Sequence, residues 1–244
     1  SNNAITGVGF QPDWVWQKRR DASGNHELTD SVRGINKTLV SNATSPEDTG
    51  TDKLQSFDSD GFTAGSSSTN NASGGSFVAW NWKAGTTSGI SGSPSITPSG
   101  FSFNQTAGFS IIGYTGNNTN GATIPHGLGV APAVIIFKRR EANNEKWSTY
   151  HHKNTSAPET DHLELNDVSA TSDDDSILND TAPSSTLITM KTSSSVNSNS
   201  IKYVAYCFSE IKGYSKHGSY TGNGNANGAF VYTGFKPAFI LVKN

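Results

Sequence analysis

Several short clusters in this 244-residue chain carry side chains capable of chemistry. His151-His152 is the most metal-like of them. Neighbours on a strand point to opposite faces, however, and no Cys, Asp or Glu stands at ligand spacing. Asp173-Asp174-Asp175 offers oxygens to a hard cation. A calcium loop alternates its ligands around a glycine turn, and this run does neither. Asp58-Ser59-Asp60-Gly61 opens like such a loop, but no acidic residue closes it, so it reads as a turn. Glu159, Asp161, Glu164 and Asp167 cluster without a spacing that selects an acid–base pair for glycoside cleavage. No G-x-S-x-G elbow frames a nucleophilic serine. "GNGNANG" at 222–228 has the glycines of a phosphate cradle but neither the following helix nor a Lys-Ser/Thr pair. These residues point to no enzyme, no metal and no cofactor.

A binding surface fits the residue types better. Trp147 and Tyr150 stand beside His151 and His152 at the start of a long irregular stretch. An exposed ring with polar neighbours can stack on a sugar, so these four form a candidate glycan-binding surface. Other ligand classes are disfavoured by composition. Formal net charge is −2 and the sequence pI about 6.3, which gives no global attraction for nucleic acid or acidic membranes. The longest apolar run, Val130 to Phe137, is eight residues, too short for a membrane span. Cys207 is the single cysteine and is flanked by apolar residues, which predicts a buried, inert thiol and excludes an intrachain disulfide.

The elements that must position these residues are read from an internal repeat. Gly9-x-x-Pro12 is followed by Lys18, Gly129-x-x-Pro132 by Lys138, and Gly234-x-x-Pro237 by Lys243. Two and four places after each Pro come Trp14 and Trp16, Val134 and Ile136, then Phe239 and Leu241. That period of two marks one face of a strand. The first copy reads as a strand with one wet face and the second as buried on both. The cations that end "VIIFKRR" are then the exit of a strand, with the Lys stem on the core and its ammonium in water. "FVAWNWK" (77–83) matches "YVAYCFS" (203–209), and "GYTGN" (113–117) matches "SYTGN" (219–223). Phe62 and Ile188 each lie sixteen residues before the Val of their block.

The expected class is all-β, with tandem antiparallel β-sandwich (jelly-roll-like) units of about 100–120 residues. Residues 1–83 form a first unit with its N-terminal strand missing or shortened. Residues 84–107 read as a Gly/Ser/Thr/Pro-rich linker. A complete second unit spans 108–211, with strands at Ser110–Tyr114, Ala122–Pro125, Ala133–Arg139, Trp147–His151, His162–Leu165, Thr186–Lys191 and Tyr203–Ser209. Residues 212–244 begin a third unit. The apolar pattern of residues 27–40 suggests at most a helical turn or two, weakened by Gly34 and the β-branched residues.

The wording of these blocks carries a resemblance. "ITGVGFQPDWVWQKRRDASGNHELTDSVRG", "LQSFDSDGFTAGSS", "FVAWNWKAG", "IPHGLGVAPAVIIFKRR" and "YSKHGSYTGNGNANGAFVYTGFKPAFILVKN" resemble a repeated module of tailed-bacteriophage virion proteins, frequent in marine phages. The resemblance covers nearly the whole chain. It implies a non-enzymatic structural or adhesive role in a tail fibre or surface appendage, with the chain on the virion surface. The implied partners are other copies of the chain and other virion subunits, with a host glycan as a further partner. Nucleic acid and membrane insertion are not implied. The alternatives are a lectin-like module for host glycans and a capsid decoration or head-fibre protein. No functional residue is carried over, because the matched positions read as strands and turns. The chain begins and stops inside a unit, as a fragment of a longer polypeptide would.

Overall fold

The computed structural model describes residues 1–141 and 144–244. Its strands are β1 (Asn3–Thr6), β2 (Trp14–Arg19), β3 (His26–Asp30), β4 (Leu39–Val40), β5 (Leu54–Asp58), β6 (Gly61–Ala64), β7 (Phe77–Trp82) and β8 (Gly100–Asn104). They continue as β9 (Phe109–Thr115), β10 (Ala122–Pro125), β11 (Val134–Arg139), β12 (Ser148–His151), β13 (Asp161–Glu164), β14 (Ser172–Asp173), β15 (Leu187–Met190) and β16 (Lys202–Phe208). Among the described residues, helix is confined to one short α-turn, α1 (Ser68–Asn71), and a 3-10 turn at Pro158–Thr160. The protein is all-β. The region 27–40 holds β3 and β4 joined by turns, so its apolar spacing is not helical.

All strand pairs are antiparallel, and they build four sheets. The orders are β1-β6-β5, β4-β3-β2-β7, β14-β13-β12-β11-β16-β9-β8 and β10-β15. The alternation of apolar residues assigns each sheet face to a core. Trp14, Trp16 and Leu28 of the four-stranded sheet meet Phe109, Ile111, Val134, Ile136, Val204 and Tyr206 of the seven-stranded sheet. On the far face of the latter, Ile135, Phe137, Tyr203 and Cys207 pack under β10-β15 through Ile124, Ile188 and Met190. On the far face of the former, Val15 packs against Leu54, Phe62 and Ala64 of β1-β6-β5. The sheets thus stack in four layers, with the two largest face to face. Burial drives the Cys207 thiol up to about 12, so it stays protonated.

The two halves pair their strands alike. Trp14 faces Trp82, Trp16 faces Trp80 and Lys18 faces Val78. Val134 faces Phe208, Ile136 faces Tyr206 and Lys138 faces Val204. In the small sheets Ile5 faces Phe62, and Ile124 faces Ile188.

Three expectations are corrected. The face of β2 expected to be wet is covered: Val15 and Gln17 are buried beneath the small sheet. The region 84–107 is not a free linker. Gly100–Asn104 is an edge strand on β9, Thr86 bridges Phe103, and Ile96 enters the core. Its Gly/Ser/Thr/Pro composition concealed Ile90, Ile96, Phe101 and Phe103, spaced widely enough to roof the sandwich. Finally, the Lys138 ammonium is not in water. The residue is fully buried, donates to the Thr44 and Glu145 carbonyls, and lies 5.9 Å from the Trp147 ring centroid.

Close backbone approach fixes glycine at several positions, most tightly at Gly61. A Cβ on Gly61, at the β5–β6 turn, would lie 1.9 Å from the Ile5 carbonyl oxygen of β1. Gly61→Ala is expected to cost about 1–3 kcal/mol by forcing β1 away, measured as a lower urea midpoint.

Acid should also weaken the fold in a defined window. His126 is fully buried; its Nδ1 accepts from the Leu128 N–H, and its Nε2 faces the Ser184 carbonyl at 3.2 Å. The ring is therefore held neutral, and burial pushes its pKa down from 6.5 to about 4. The unfolded chain takes up this proton below pH 6.5, whereas the folded chain resists until about 4. The stabilising contribution is complete above pH 6.5 and lost as pH falls through that window. Urea midpoints between pH 7.5 and pH 4 should show it, with a shallower fall in His126→Gln; an identical fall would remove His126 as the cause.

Candidate interaction surface

The residues expected to bind glycan do not form a surface. Trp147 is 0% exposed and Tyr150 is 5% exposed. Strand β12 is paired on both sides, with β11 and β13, and the period of two sends Trp147 into the central core and Tyr150 into the core under β10-β15. The Trp147 Nε1 donates to the carbonyls of Val40 and Ala43 at 3.0 and 3.1 Å, joining the turn after β4 to the seven-stranded sheet. Neither ring offers a stacking face.

His151 and His152 are half-buried at the exit of β12, where a third imidazole, His217, joins them. The His152 Nε2 lies 3.1 Å from the His217 carbonyl, and the His217 N–H donates to Glu210 at 3.0 Å. Lys216 also pairs with Glu210. Burial, then the neighbouring His151, push His217 down to about 4. Burial, then His152, lower His151. The cluster fastens the segment after β16 to the sheet. Among the described residues, no group of three or more His, Cys, Asp and Glu is placed to hold a metal ion.

Several of the acidic candidates are engaged locally. Asp60 accepts from the N–H groups of Gly7 and Gly9, which lowers its pKa and ties the turn to the chain after β1. Asp174 accepts from Ser176, Asp175 pairs with Lys191, and Asp167 pairs with Lys146. The cations ending β11 turn inward as well. Arg139 pairs with Glu145, and Arg140 makes a two-point contact with Glu47 at 2.9 Å each.

Glu47 belongs to a buried network between the two large sheets. Arg33, whose side chain is fully buried, donates to Asp30 at 2.5 Å, to Glu47 at 3.0 Å, to the Leu28 carbonyl at 2.9 Å and to the Tyr206 hydroxyl at 3.2 Å. Tyr206 in turn donates to Asp30 at 2.7 Å. Burial opposes ionisation of Glu47, but Arg140 and Arg33 outweigh it and lower its pKa. Distant charged residues recognise one another here, and sequence spacing held no signal of it.

The open features lie elsewhere. Strand β16 is paired on both edges, with β11 and β9. Strand β7, which meets β2 in the same register, is paired on that edge alone among the described residues and is half-buried throughout. Phe239 from the C-terminal segment sits edge-on to both Trp80 and Trp82, with centroids 5.6 Å away in each case. From residue 216 to 244 the segment forms neither helix nor strand, and it exposes Tyr220, Phe230, Tyr232, Ile240, Leu241 and Val242. A family model described as "Domain of unknown function (DUF7483)" matches residues 1–244. The chain belongs to that family. No curated protein and no solved structure matches it. Among the described residues of this DUF7483 domain, β7 is one of several strands that end a sheet, and the apolar C-terminal segment meets its Trp80 and Trp82 through Phe239. An unpaired strand edge recruits another strand, and a contiguous exposed apolar patch marks a contact site. No helix among the described residues is long and apolar enough to cross a membrane.

Proposed function

We propose that this chain is a non-enzymatic structural and adhesive component of a phage particle, part of a tail fibre or similar surface appendage. It is built from tandem β-sandwich units that associate through their open edges. The observation that carries this reading is the contrast between β7 and β16. Both meet their Gly-x-x-Pro strand in one register, but only β16 has its second edge filled. The apolar C-terminal segment repeats the Gly-x-x-Pro pattern a third time and leaves it outside any sheet. The sequence resemblance to phage virion modules supplies the setting. The partners are other copies of the chain and other virion subunits, and repetition converts weak contacts into avidity.

Two measurements on the purified full chain test it. Light scattering should give a mass above the 25.8 kDa of one chain, because edge pairing joins units. The labelled oligomer should then bind intact host cells saturably, and periodate oxidation of surface glycans should reduce that binding. A chain monomeric at every accessible concentration would remove the assembly reading. An oligomer that ignores cells would leave a shaft or head decoration in place of an adhesin.

A further inference from the structure

The four-stranded sheet and the small sheet β1-β6-β5 enclose a cleft of about 330 Å³. Gln17 lines it from one side and Asn3 and Phe62 from the other, and Asn70 and Asn71 of α1 and Phe77 at the start of β7 close it. No charged side chain among the described residues lines it. Asn70 is 4% exposed, and its Oδ1 has no hydrogen-bond partner among the described residues. A buried amide oxygen left unpaired is a cost that folds avoid unless something outside the chain meets it.

The other half of the chain gives the control. Gln17 pairs with Ala79 as Phe137 pairs with Ala205, and Arg19 faces Phe77 as Arg139 faces Tyr203. Sixteen residues separate Phe62 from Val78, and sixteen separate Ile188 from Val204. Counting within them sets Asn70 at the place of Val196 and Asn71 at the place of Asn197. Phe137, Val196 and Tyr203 are fully buried in a continuous apolar core. Where one half fills its interior with Phe and Val, the other sets two amides around an opening.

We propose that this cleft is a binding site for one uncharged sugar residue. A primary amide presents a donor and an acceptor side by side, which matches the paired donor and acceptor character of sugar hydroxyls. The half-buried Phe77 ring supplies an apolar wall for the C–H face of a pyranose. The volume lies at the small end of ligand sites, enough for a single ring. An uncharged lining gives a phosphate, sulfate or carboxylate no counter-charge. The proposal stands on this geometry alone and holds whether or not the chain is a virion component.

The test is an NMR titration of the isotopically labelled full chain with methyl glycosides of glucose, galactose, mannose, fucose and N-acetylglucosamine. Glucuronic acid and N-acetylneuraminic acid serve as charged controls. At least one neutral glycoside should shift the signals of Gln17, Asn70, Asn71 and Phe77 saturably, with a Kd on the order of 1 mM, while the charged sugars leave them unmoved. Asn70→Val installs the residue of the filled half, so it should fold at least as stably and bind at least about tenfold more weakly. Ser73→Trp, on the exposed rim, should block entry without touching the core. Should Asn70→Val misfold, the rim variant decides. Absence of a saturable shift with every neutral glycoside, binding of charged sugars alone, or unchanged binding in both variants would overturn the proposal.

Discussion

Arg33→Ala is expected to lower the free energy of unfolding by about 3–5 kcal/mol, the range found when one partner of a buried ion pair is removed. The guanidinium is fully buried, and its contacts reach Asp30, Glu47, Tyr206 and the Leu28 carbonyl. Truncation leaves the Asp30 carboxylate buried with only the Tyr206 hydroxyl and the backbone N–H of residue 33 donating to it among the described residues. It also removes half of the cationic environment of Glu47, leaving Arg140 alone. Tyr206→Phe should cost less, about 1–3 kcal/mol, because it removes one neutral hydroxyl from the same network. The double variant should fall short of the sum, since both substitutions act on Asp30. The network also joins β3 and the turn after it to β16 of the facing sheet. Both large sheets should therefore unfold together, with tryptophan fluorescence and far-ultraviolet circular dichroism giving one coincident urea transition. Two separated transitions, or a loss below about 1 kcal/mol for Arg33→Ala, would show that the sheets are held by apolar contact alone.

Local pattern made much of this architecture legible, and long-range choice hid the rest. Strand β10 has the bounds Ala122–Pro125 that the turn residues around it mark, β11 starts one residue later than expected, and β16 is shifted by one residue at both ends. The period of two set Trp14 and Trp16 on one face and Val15 and Gln17 on the other. It said nothing about what would cover each face. Only the arrival of β1-β6-β5 makes the second face of β2 an interior. Trp147 and Tyr150 fail as a surface for the same reason: aromatic rings flanked by polar residues look exposed until the layers that cover the two faces of the sheet are known. Edge strand β8 was hidden because glycine, serine and proline dilute its phenylalanines below the density of an ordinary strand. Asn70 had a signal in the sequence, an amide at the position where the matching block holds Val196, but it emerges only when the matched blocks are compared residue by residue.

Trp14→Ala should cost about 3–5 kcal/mol, the range for emptying a large aromatic site. Trp14 is the hub of the central core. It stacks on Tyr206 at 4.4 Å and on Phe109 at 5.6 Å, and lies 4.6 Å from Trp82. The neighbours that line the site belong to two sheets with fixed registers, so they can collapse only partly into the hole. The sharper test compares two phenylalanine substitutions. The Nε1 of Trp14 is buried without a hydrogen-bond partner among the described residues, so Trp14→Phe removes a polar group that gains nothing there. The Nε1 of Trp147 donates to the carbonyls of Val40 and Ala43, so Trp147→Phe deprives two buried-side acceptors of their donor. Both variants lose similar volume. Trp147→Phe should therefore be less stable than Trp14→Phe by about 1–3 kcal/mol, the desolvation cost of leaving such groups unsatisfied. Equal losses would mean that the turn after β4 is held by packing. A greater loss in Trp147→Phe would mean that the indole N–H is what pins the first half of the chain to the second.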